Sequence, residues 1–129
     1  MKPSVLFSAY AAAALIICAN FLAIPGFWIT LYGARADAQA VFLYRLIAAL
    51  FGGIAALSWA ARGEASSSGR EAIARGLVVV NGLAAVVGVV GAVSGVYNQF
   101  AWGAAGMFAL FTLGFALRSP EPRPAVESA

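Results

Sequence analysis

The chain contains no histidine. That removes imidazole acid–base catalysis, the usual axial ligand of haem and most zinc sites. One cysteine, Cys18, can form neither an internal disulfide nor a multi-thiolate cluster. Charged residues are scarce, at 10% of 129 residues, where a soluble domain carries about 25%. The acids are Asp37, Glu64, Glu71, Glu121 and Glu127 alone. What is plentiful is apolar surface: 63% of residues are hydrophobic, and the mean hydropathy is +0.90. This composition excludes a disordered chain and an ordinary soluble globule. It points to an integral membrane protein.

The charges fall in groups: Lys2; Arg35 with Asp37; Arg45 alone; Arg62, Glu64, Arg70, Glu71 and Arg75; then Arg118, Glu121, Arg123 and Glu127. About 20 apolar residues carry a helix across ~30 Å of hydrocarbon. Four runs approach that length: Ser4–Ile24, Gln39–Ala61, Ile73–Val96 and Phe100–Leu117. No period-2 alternation suggests a barrel, so each run is expected to be helical. The expected fold is an all-α integral membrane protein. Its 1–118 domain is an antiparallel up-down bundle of four transmembrane helices, with 119–129 as a flexible, proline-containing cytoplasmic tail. Gly26–Gly33 is apolar and aromatic but too short to span. It is expected to lie along the outer interface as a short segment after the first helix. Gly63–Gly69, with three serines, reads as a flexible cytoplasmic linker, and Tyr97-Asn98-Gln99 as a tight outer turn.

Lys2, Arg62, Arg70, Arg75, Arg118 and Arg123 fall on one side of these spans, and Arg35 and Arg45 on the other. The six-to-two bias places both termini inside, in a bacterial-type inner membrane. Aromatics agree: Trp28, Tyr32, Tyr44, Tyr97 and Trp102 gather toward the outer interface, while Trp59 marks the inner one. Lys2 before an apolar run resembles a signal peptide, but Pro25-Gly26 is a poor cleavage context and more apolar runs follow. Ile17 before Cys18 is too large for a lipoprotein box, so Cys18 reads as a buried apolar residue.

At about 100° per residue each span shows a stripe of small residues. The stripes are Ala9, Ala13 and Asn20 on the first span and Arg45, Ala49, Gly52, Ala56 and Ala60 on the second. They are Asn81, Ala84, Gly88, Gly91, Ala92 and Gly95 on the third and Gly103, Gly106 and Gly114 on the fourth. Such stripes let membrane helices approach closely, so all four are expected to face inward. Phe108, Phe111 and Phe115 then fall about 130° from the last stripe and are expected to face outward, toward lipid, a partner subunit or a pigment. Arg45, Asn20 and Asn98 share the outer layer. They form the candidate site for an anion or a lipid headgroup, with an anchoring role for Arg45 as the simpler reading. Asn81 reads as an interhelical hydrogen bond.

The four-span layout is similar to that of small multidrug transporters and of membrane thiol oxidases. The first span has no acid, however, and Cys18 has no CxxC partner, so neither motif is met. The expected function is therefore a non-enzymatic structural, accessory or assembly subunit of a larger membrane complex, respiratory or photosynthetic in type. Its partners would be membrane lipids and other membrane-protein subunits, with no nucleic acid. The alternative is a small oligomeric transporter or channel in which Arg45 attracts an anion. The residues name no catalytic group, no metal site and no particular cofactor.

Overall fold

A computed structural model describes residues 3–63 and 68–117. Lys2, most of the central linker and the tail from residue 118 lie outside the described residues. The order is α1 (Pro3–Ala23), α2 (Pro25–Leu31), α3 (Ala38–Gly63), α4 (Ser68–Val93) and α5 (Phe100–Ala116). No strand occurs among the described residues. Three helices, α1, α3 and α4, are long and apolar enough to cross a membrane. Helix α5 has 17 residues, about 26 Å at ~1.5 Å per residue.

Local chemistry explains the boundaries. Pro25 offers no N–H to continue α1, but its fixed φ suits the first turn of α2. The segment expected at the interface is thus a short helix. Asp37 Oδ1 accepts a 2.8 Å hydrogen bond from the Ala40 N–H, which caps the start of α3. Helix α4 begins at Ser68, five residues before the apolar run at Ile73. Arg75 Nε donates to Glu71 Oε1 at 3.0 Å, one turn apart, and this pairing extends the helix into polar sequence. At its other end α4 stops at Val93, short of Val96, because Gly95 takes a left-handed φ of 70°.

The helices pack as two antiparallel pairs, α1 along α3 and α4 along α5, with α2 lying on α3 and α1. Small residues allow close backbone approach within each pair. A Cβ on Gly88 would stand 3.0 Å from Ala105 Cβ and 3.3 Å from Ala105 Cα, and one on Gly52 would stand 3.3 Å from Cys18 Sγ. Large side chains fill the space between the pairs. Phe7 meets Phe115 edge-on at 5.2 Å, and Tyr10 meets Phe111 at 4.7 Å and Phe115 at 5.3 Å. Leu6, Ala61, Ala74 and Leu77 complete this core, which lies toward the end of the bundle where α3 finishes and α4 begins.

Only α4 turns its expected face inward: Asn81 and Gly91 are buried, and Gly88 meets α5. The other three assignments are corrected. On α3, Arg45, Ala49, Ala56 and Ala60 are exposed, and Ala48, Ala55, Ser58 and Ala61 pack instead. On α1, Ala9 is exposed while Leu6, Phe7, Tyr10, Ala11 and Ala14 are buried. On α5, Gly103 and Gly106 meet nothing within 4 Å, and Gly114 alone packs, against Leu6. Phe115, expected to face outward, is 0% exposed, Phe111 is half-buried on Tyr10, and Phe108 stacks on Phe51 at 6.2 Å. The physical reason is that both faces of these helices are apolar. Periodicity separates the faces without saying which one turns inward, and broad rings fill the gap between pairs better than glycine does.

Gly88→Leu should therefore separate α4 from α5 and lower detergent-resistant folded yield severely, since overpacking against backbone costs about 1–3 kcal/mol or more. Gly106→Leu should leave the yield unchanged. Thermal unfolding in mild detergent checks both.

Candidate functional site

Polar groups occur at three levels of the bundle. At the core, Tyr10 Oη donates to Asn81 Oδ1 at 3.1 Å, and Asn81 Nδ2 donates to the Leu77 carbonyl at 2.8 Å. Tyr10 and Asn81 are both buried, so the bond joins α1 to α4 in a dry setting. Ser58 on α3 is also fully buried, and its hydroxyl has no hydrogen-bond partner among the described residues. The expectation that Asn81 bonds between helices holds. Its partner Tyr10 went unrecognised, although a lone tyrosine within the first apolar run was a signal for it.

Arginine and aromatic rings meet at the end where α4 starts. The Arg70 guanidinium lies 5.6 Å from the Phe7 ring centroid, and Arg70 is only 8% exposed. The Arg62 guanidinium lies 3.3 Å over the exposed Trp59 ring. Both contacts place a cation on a π face. The sequence places Arg70 only within the central charge group on the inner side, and its burial had no sequence signal.

The opposite end is closed by a clasp between two connections. Asn98 Nδ2 donates to the Leu31 carbonyl at 2.8 Å, and its backbone N–H donates to the Tyr32 carbonyl at 3.1 Å. Its Oδ1 accepts from the Phe100 N–H at 3.1 Å, which steadies the first turn of α5. Gly33 makes room, since a Cβ there would stand 3.3 Å from Asn98 Nδ2 and its φ is 84°. Tyr32 and Tyr97 meet at 5.9 Å, and the Tyr97 ring lies directly on Gly91. Burial, and then the neighbouring Tyr97, push the Tyr32 phenol above its ordinary value. Phe21 bridges Tyr44 at 4.8 Å and Trp28 at 6.0 Å.

No hydrogen bond joins the three candidate residues of the outer layer among the described residues. Asn20 Nδ2 donates within its own helix, to the Ile16 carbonyl at 2.8 Å. Asn98 belongs to the clasp. Arg45 is exposed and joins neither of them through a hydrogen bond among the described residues. One turn further out, Ala38, Gln39, Phe42 and Leu43 line a shallow open depression of about 400 Å³. Among the described residues no three His, Cys, Asp or Glu side chains cluster in a way that would hold a metal ion. What these polar groups do is hold helices and connections together. No known protein family matches the chain, and neither does any curated protein or solved structure.

Tyr10→Phe should destabilise the bundle by about 1 kcal/mol, the usual scale of an interhelical hydrogen bond in membranes. Asn98→Ala should loosen the clasp more, because it strips partners from both connections. Chemical unfolding in detergent micelles ranks the two.

Proposed function

We propose that α1, α3, α4 and α5 all cross a bacterial-type inner membrane with both termini cytoplasmic, and that the protein acts without chemistry of its own. It would be an accessory or assembly subunit of a larger membrane complex, respiratory or photosynthetic in type. The orientation rests on the bias of basic residues. The fourth crossing is supported by α5 lying antiparallel along α4 and by the lack of any charged residue from Phe100 to Ala116.

The accessory role is carried by one observation. Helix α3 leaves Arg45, Ala49, Gly53, Ala56 and Ala60 exposed along one face, and a Cβ on Gly53 would meet nothing within 4 Å among the described residues. In lipid a helix surface of small residues gains contact only when another backbone comes close. Inside the bundle the same residue types bring α4 and α5 together, so an outward copy of that surface favours a second membrane protein. The transporter reading has less support. Arg45 stands outside the bundle, so an anion path past it would have to form between copies.

A photo-crosslinking residue at Ala56 should give one discrete heterologous adduct in native membranes, while the same residue at Val87, exposed on α4, should give none. An adduct to a second copy of this chain would favour the transporter instead. For orientation, Gln99→Cys should be labelled by an impermeant thiol reagent added from outside the cell. Protection of that cysteine would invert the topology.

A further inference from the structure

Two helices of this protein disagree about the membrane. Helix α3 has 26 residues, about 39 Å at ~1.5 Å per residue, and overshoots a ~30 Å hydrocarbon core. Helix α5 has 17, about 26 Å, and falls short of it. Both belong to one packed unit, so a single apolar belt must serve them.

The side chains of α3 show where that belt ends. Arg62 lies over the Trp59 ring at 3.3 Å, and both are exposed. An arginine on a tryptophan is the usual furniture of a membrane–water boundary. Arg45 stands 17 positions earlier on the same helix, about 26 Å away at ~1.5 Å per residue. This matches the length of α5. Arg45 is exposed, next to Tyr44, whose ring packs on Phe21 and through it on Trp28. If hydrocarbon continued outward past Arg45, a charge would face acyl chains with no acid of this chain's spans to meet it. If hydrocarbon ends at Arg45, the guanidinium lies among phosphates and nothing is left unpaired.

We infer that Arg45 and Arg62 are the two phosphate-level anchors of α3, and that the protein fits a bilayer whose hydrocarbon is about 26 Å thick, thinner than the usual core. The partner of Arg45 is the phosphate of an outer-leaflet phospholipid. The outer end of α3, from Ala38 to Tyr44, then stands in the headgroup layer. That placement gives α2 a role: it packs against this outer part of the bundle and leaves Phe27 exposed. The depression lined by Ala38, Gln39, Phe42 and Leu43 lies at the same level, open to headgroups. Helix tilt only reduces the thickness further.

The inference rests on the spanning part of the proposed function and is independent of the accessory role. Its test is the immersion depth of single spin labels on the full chain in phosphatidylcholine–phosphatidylglycerol vesicles, each placed in a Cys18→Ser background. Labels at Leu50 and Leu110, exposed on α3 and α5, should lie in hydrocarbon, and a label at Leu43 should lie among headgroups. Arg45→Leu should draw the Leu43 label inward by up to one helical turn, about 5 Å, and Arg45→Lys should leave it in place. A Leu43 label in hydrocarbon beside an intact Arg45, or one that Arg45→Leu does not move, overturns the inference while leaving the spans intact. If Leu50 and Leu110 are both accessible to water, the spanning reading fails with it.

Discussion

An apolar helix in lipid gains nothing from hiding an apolar face, because acyl chains are as apolar as leucine. The packing of the apolar helices is consistent with that constraint. Within the pairs α1–α3 and α4–α5, glycine and alanine let backbones approach until dispersion contacts accumulate, as at Gly88 against Ala105. Between the pairs the solution differs. Phe7, Tyr10, Phe111 and Phe115 fill a wider gap with edge-on rings, and the Tyr10–Asn81 bond fixes how the pairs meet. A hydrogen bond between two buried side chains has no competing water there, so it contributes direction as well as energy.

The existence and type of the helices were legible from the sequence because charge spacing and apolar length are one-dimensional signals. The caps were also partly written in it: Asp37 before α3 and Pro25 after α1 act through local geometry. The inward faces were not. In a soluble helix, polar residues mark the outside. Here Arg45 was the only charge on its stripe, and it was placed inside when it in fact marks the outside. The α5 glycines misled for a related reason: Gly103 and Gly106 permit close packing without requiring it. Only Asn81 gave its face away, because a buried amide needs a partner.

The candidate outer-layer residues share no hydrogen bond among the described residues, for a related reason. Asn20, Arg45 and Asn98 share a layer, but sequence distance along helices says nothing about what each polar atom bonds. Asn20 answers its own backbone and Asn98 answers the α2 connection. Arg45 bonds to neither among the described residues and stands exposed on α3.

The division into two pairs has a consequence for how the molecule is made. Each pair consists of long helices that follow one another along the chain, and each is held by its own close contacts. The first hairpin can therefore close before α4 has emerged from the ribosome. The aromatic seam, by contrast, needs rings from both hairpins and forms only at the end of synthesis. Assembly order is thus built into the geometry.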